Sequence, residues 1–167
     1  MLVRPAGPEG DESVTQSILR ARPTNMSQSE QRFATDLLIS SDTVEARRIQ
    51  EQMEHLLKVH QFGERDIFGI RLAVEEALVN AIKHGNQMDS SRKVRVAFQV
   101  SQEKFEVIIA DEGEGFDPID VPDPTSPENL ERPCGRGIML MRHYMTSVAF
   151  NDRGNAVSMT KLRNGTK

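Results

Sequence analysis

"EEALVNAIKHGN", Glu75 to Asn86, sets two acids, two amides, a lysine and a histidine among residues that otherwise read as a buried helix. Ile67, Ile70, Val74, Ala77, Leu78 and Ala81 recur three or four positions apart, so they form one apolar stripe on a helix predicted from near Glu64 to Gly85. Glu76 and Asn80, four apart, stack one above the other, and Lys83 and His84 extend that edge by another turn. At about 100° per residue the polar stripe lies about half a turn from the apolar one. The helix therefore has two faces. A charged face opposite a core stripe is ordinary for a surface helix, and a histidine at a helix C-terminus is accounted for by its favourable interaction with the dipole. What the polar face does depends on the rest of the chain.

Upstream, "RFATDLLIS" reads as a strand. It leads into a helix with Ser41 or Asp42 as N-cap, apolar positions at Val44, Ile49, Met53, Leu56 and Leu57, and Gly63 as the stop. Downstream the period changes to two. Val94, Val96, Phe98 and Val100, then Phe105, Val107 and Ile109 after the turn at "SQEK", form a hairpin that ends at Asp111. Glu112 to Arg136 is Gly/Pro/Asp-rich without periodicity, the pattern of a functional lid or a disordered insert. A short helix, "GIMLMRHYM", and a second hairpin turning at Arg153–Gly154 follow. Strand, helix, helix, hairpin, lid, helix, hairpin implies an α+β fold: a two-layer sandwich of a mixed, mostly antiparallel sheet covered on one face by helices. One domain is expected over residues 30–167, with residues 1–29, rich in Gly, Pro, Ser, Gln and Glu, as a disordered tail.

A net charge of -4 offers no broad basic field, which argues against direct nucleic-acid binding. The single cysteine, Cys134, can form neither an internal disulfide nor a zinc cluster, and His55, His60 and His143 show no metal-ligand spacing. No apolar run resembles a signal peptide or approaches the ~20 residues that cross a bilayer. The expected setting is cytoplasmic, without membrane association.

Two further motifs give the polar helix face a context. "DEGEGFDP", Asp111 to Pro118, places an aspartate at the end of an apolar strand and glycines at 113 and 115, where backbone can pass close to a flat ligand. Alone it is equally a turn. "CGRGIMLMR" sets Gly135 and Gly137 just before an apolar helix, where free N–H groups and the helix dipole can receive a phosphate. Alone it is equally a glycine hinge.

In this fixed order the three stretches resemble the E-x-x-x-N, D-x-G-x-G and G-x-G-[IL] boxes of the GHKL superfamily. This is the ATP-binding group of gyrase, heat-shock chaperone 90, histidine kinases and mismatch-repair ATPases, with the Bergerat-type fold. In its small size the chain looks like the anti-sigma-factor serine kinases, and the resemblance covers about Phe33 to Leu162.

It implies Glu76 as general base, Asn80 as the Mg²⁺ ligand, and Asp111 as acceptor of the adenine amino group. Gly113 and Gly115 would pack against base and ribose. Gly135, Arg136, Gly137 and Ile138 would form the phosphate lid, with Lys83 adding a phosphate contact. Where many relatives carry a threonine after the last hairpin glycine, this chain has Asn155, which can substitute as a hydrogen-bonding group.

The implied activity is an ATP- and Mg²⁺-dependent serine/threonine kinase and anti-sigma factor. Its partners would be a sigma factor and an anti-sigma-factor antagonist, with a possible homodimer. The alternatives are a non-catalytic ATP-binding partner switch or, less well matched, a histidine-kinase-type ATP-binding domain.

Overall fold

The computed structural model describes residues 32–117 and 136–164. Strand β1 (Phe33–Ser40) is followed by helices α1 (Thr43–Val59) and α2 (Glu64–Val79), with α2 continuing as a π-helical turn, Asn80–Gly85. The hairpin β2 (Lys93–Val100) and β3 (Lys104–Ala110) comes next. Helix α3 (Arg136–Tyr144) and the hairpin β4 (Ser147–Phe150) and β5 (Ala156–Leu162) complete the described chain.

The strands lie in the order β1-β2-β3-β5-β4, and each neighbouring pair is antiparallel. The expected mixed sheet is thus antiparallel throughout the described strands. Helix α3 does return the chain so that β4 runs parallel to β3. However, β5 inserts between them, in register Ala110↔Ala156 at the end nearest Asp111, and no parallel pair forms.

One sheet face meets the helices. Val96, Phe98, Phe105, Val107, Ile109 and Met159 pack with Met53, Leu57, Ile70, Val74 and Leu78 in one core. Side chains of this size contribute about 1.5–3 kcal/mol each when fully buried. Helix α3 lies along α2. Gly69 makes this approach possible, because a β-carbon there would stand 2.8 Å from the Tyr144 ring.

Helix α1 begins at Asp42, whose side chain accepts the Val44 N–H at 2.8 Å. Val44 itself is exposed, and Ala46 takes its place in the core. The helix stops earlier than Gly63. Gln61 adopts φ 61°, its N–H bonds the Lys58 carbonyl, and the Phe62 N–H bonds the Leu57 carbonyl, the two-bond Schellman closure sealed by buried Phe62. Gly63 instead precedes α2 as its N-cap.

The end of the next helix also differs from expectation. The Asn86 N–H donates to the Ala81 carbonyl five residues back, at 2.8 Å, so the last turn is wider than an α-turn. That turn delivers Asn86, with no exposed surface, to three strand ends. Its Nδ2 donates to Ser41 Oγ and the Lys93 carbonyl, each at 2.9 Å, and its Oδ1 accepts the Glu112 N–H at 2.8 Å. The helix terminus is thereby pinned beside the loop that follows β3.

Candidate functional site

A cavity of about 780 Å³ opens between α2 with its π-turn, the loop after β3, the start of α3 and the β4–β5 turn. Its volume lies within the range typical of small-molecule sites, about 300–1,000 Å³. Glu76, Asn80 and His84 face it from the helix, Asp111, Gly115 and Phe116 from the loop, and Gly137, Ile138 and Met141 from α3.

Glu76 and Asn80 are half-buried, one turn apart, as the four-residue spacing requires. Helix α3 presses directly onto them. A β-carbon at Gly137 would stand 2.6 Å from Glu76 Oε2 and 3.6 Å from Asn80 Nδ2. A side chain at this position would therefore push the flexible Glu76 carboxylate aside, whereas Asn80 would be at ordinary contact distance.

Lys83 and His84 are both exposed, and of the two it is His84 that lines the cavity, whereas the sequence set Lys83 on that edge as a phosphate contact. The cause is the π-turn. Its wider coil holds more residues per turn than an α-helix, so the residue four after Asn80 comes nearly above it and the residue three after it turns away.

Asp111 extends β3 by one residue and is 8% exposed. Its Oδ1 accepts the Gly113 N–H at 2.8 Å. Burial raises its pKa above the ordinary aspartate value, opposed in part by the Gly113 N–H and by the charges of Arg153 and Arg92. The carboxylate sits over Gly85, where a β-carbon would stand 2.2 Å from Asp111 Cγ.

Gly113 and Gly115 are also explained by protein packing. A β-carbon on Gly113 would meet the Gly85 carbonyl at 2.2 Å. Gly115, at φ 80°, would place one 1.8 Å from the Arg153 carbonyl of the β4–β5 turn. The two glycines therefore seat the loop after β3 between the helix end and the hairpin turn, and Gly115 still lines the cavity.

Arg136 begins α3 and is exposed, Ile138 is on the cavity wall, and Gly135 lies outside the described residues. Sequence reasoning missed Phe116 and Phe150, which meet edge to face at 5.3 Å on the wall beside the loop. The phenylalanine directly after D-x-G-x-G was the available signal. Asn155 is on the wall as well, but its side chain bonds the Asp111 carbonyl and Asn151.

The donor set suits a nucleotide carrying Mg²⁺. Asn80 offers one hard amide oxygen beside Glu76, and Mg²⁺ keeps waters and takes few protein ligands plus substrate phosphates. Among the described residues no group of three or more His, Cys, Asp or Glu is arranged to hold a metal. An ion at Asn80 would thus draw most of its oxygens from phosphate and water.

The antiparallel sheet layered on one face by helices thus sets an acid–amide helix opposite an aspartate loop across a cavity of the size that takes a nucleotide. The chain belongs to the histidine kinase-like ATPase domain family, whose sequence profile matches residues 39–161. It is 38% identical over 106 residues to the serine-protein kinase RsbW of Bacillus licheniformis, a match covering 59% of this chain and 66% of that one. It is 35% identical over 107 residues to RsbW of Bacillus subtilis (strain 168), covering 60% and 67%. The matched segment thus spans about two thirds of these curated relatives. In fold it is similar to the crystal structure of the RsbU and RsbW domains of Rv1364c from Mycobacterium tuberculosis. The TM-score is 0.51 at 17% identity, over 77% of this chain and 32% of that one.

Proposed function

We infer that the protein is an ATP-dependent serine/threonine kinase and anti-sigma factor of a partner-switching system, phosphorylating an anti-sigma-factor antagonist. The observation that carries this reading is that Glu76 and Asn80 share one cavity with Asp111. The relatives named serine-protein kinase support it, and in this reading residues 30–167 would be the catalytic unit. Its setting is the cytoplasm, where a sigma factor works. Among the described residues no helix is long and apolar enough to cross a membrane.

Phosphoryl transfer asks a protein mainly to position groups and stabilise charge. Asp111 Oδ1 is taken by the Gly113 N–H, which leaves Oδ2 to accept the adenine amino group. Asn80 would hold Mg²⁺ through its side-chain oxygen, and the ion would supply neutralisation of charge on the phosphates. Helix α3 starts at Arg136, and its N-terminal turn would present the positive end of the helix dipole to the phosphates. Glu76 takes the proton of the partner's serine hydroxyl as that oxygen bonds the γ-phosphorus and the bond to the departing ADP breaks.

The test is Glu76→Ala, assayed with labelled ATP and candidate antagonist proteins. Transfer should fall by about 10²–10⁴-fold, while ATP affinity measured by calorimetry stays within about threefold. Undiminished phosphoserine on the partner would remove Glu76 from the mechanism. If the wild type binds ATP and labels no partner, a partner switch that holds its target without phosphorylating it is the better description.

A further inference from the structure

Asn155 follows the hairpin glycine Gly154 and lies opposite Asp111, one position beyond the last β3–β5 pair, Ala110↔Ala156. A regular antiparallel rung would exchange two backbone bonds between these residues. Only one is made conventionally: the Asp111 N–H donates to the Asn155 carbonyl at 2.9 Å. The Asn155 N–H turns instead to Asn151 Oδ1, at 3.0 Å. The second bond of the rung is supplied by a side chain, with Asn155 Nδ2 donating to the Asp111 carbonyl at 3.0 Å. Both main-chain groups of Asp111 therefore end on Asn155.

Asn155 is in turn held by its neighbour. Asn151 Nδ2 donates to Asn155 Oδ1 at 2.7 Å, and Asn151 Oδ1 also accepts the Ala156 N–H at 3.1 Å. The orientation of the Asn155 amide follows from these partners. Flipped, it would set oxygen against the Asp111 carbonyl and NH₂ against the Asn151 NH₂. The network is nearly closed to solvent, as Asn155 is 4% exposed, so each unmade bond would carry a full desolvation cost.

We propose that Asn155 is a positioning residue for base recognition, its side chain closing the final rung of the β3–β5 ladder so that the Asp111 carboxylate is aimed at the amino group of the purine. The proposal rests on the reading of Asp111 as the adenine acceptor. Alanine cannot supply the bond, and threonine, one atom shorter, supplies it poorly.

The experiment measures, by calorimetry on the full chain, the affinity for ATP and for purine riboside triphosphate, which lacks the amino group. The wild type should prefer ATP. In Asn155→Ala the ATP affinity should drop about tenfold, the equivalent of one buried hydrogen bond. Affinity for the purine analogue should stay within about twofold, so the preference collapses. Equal weakening of both ligands, as a merely structural role would give, or no weakening of either, overturns the proposal. A wild type that binds both ligands equally removes the role of Asp111 and this inference with it, and one that binds neither removes the nucleotide reading itself. Should Asn155→Ala not fold, Asn155→Thr is read against the same two ligands.

Discussion

The two ends of the cavity are built in different ways. At the end proposed to hold the phosphates, Glu76 and Asn80 lie on one continuous helical segment, and their alignment needs nothing beyond the helical repeat. At the other end, proposed to hold the base, Asp111 depends on two segments distant in sequence: Gly85 beneath its carboxylate with Asn86 bonding the next residue, and Asn155 holding its main chain. A local device can carry reactive groups, because its geometry survives small shifts of its surroundings. A recognition device that must read one edge of a flat ring is braced from several sides.

Substitutions can break this contrast. The largest effect is expected at Asp111→Asn, which leaves an NH₂ where the acceptor stood. ATP affinity should fall about 30–100-fold, the loss of a charge-assisted hydrogen bond, read by calorimetry. The same variant should be more stable without ligand. Because burial raises the Asp111 pKa, its charged form is disfavoured in the fold, and stability present at low pH is lost as pH rises through the folded pKa. The Tm of Asp111→Asn at pH 7 should therefore exceed wild type by a few degrees, and the gain should vanish on acidification. Wild-type ATP binding should weaken on acidification from a pH above the ordinary aspartate value of about 3.9.

Asn86→Ala tests the bracing itself. It leaves the Glu112 N–H and the Lys93 carbonyl without their buried partner, at a cost of about 2–4 kcal/mol. The Tm should drop by about 5–10 °C in a thermal melt. Gly137→Ala addresses the other end, where the added methyl displaces the Glu76 carboxylate. Phosphoryl transfer should slow about tenfold, since misplaced catalytic groups lose rate steeply, with the Tm changed far less than in Asn86→Ala. Lys83→Ala should be the mildest, changing ATP affinity less than about twofold, because the side chain stands off the wall.

Much of this was legible in the chain alone. Period-two runs marked β2 and β3, and the stripe from Ile67 to Ala81 marked α2 and its buried face. The Glu76/Asn80 pair and Asp111 were named from spacing and family resemblance, and all three face one cavity. The readings of β2, β3 and α2 agree with the structure because they depend on neighbours within a turn or on alternate strand residues, and such relations are local.

What required the tertiary structure was every relation between segments. The insertion of β5 between β3 and β4 cannot be read from two adjacent hairpin strands, since either could join the first hairpin. The π-turn that exchanges Lys83 for His84 accompanies the pinning of Asn86 to Ser41, Lys93 and Glu112, bonds that span up to 45 residues. Sequence alone determined which chemical groups this protein possesses and, in the regular part of α2 and in β2 and β3, which face carries them. The tertiary structure decided which of those groups meet, because glycines 85, 113, 115 and 137 mark approaches of backbone to distant partners whose identity no local pattern encodes.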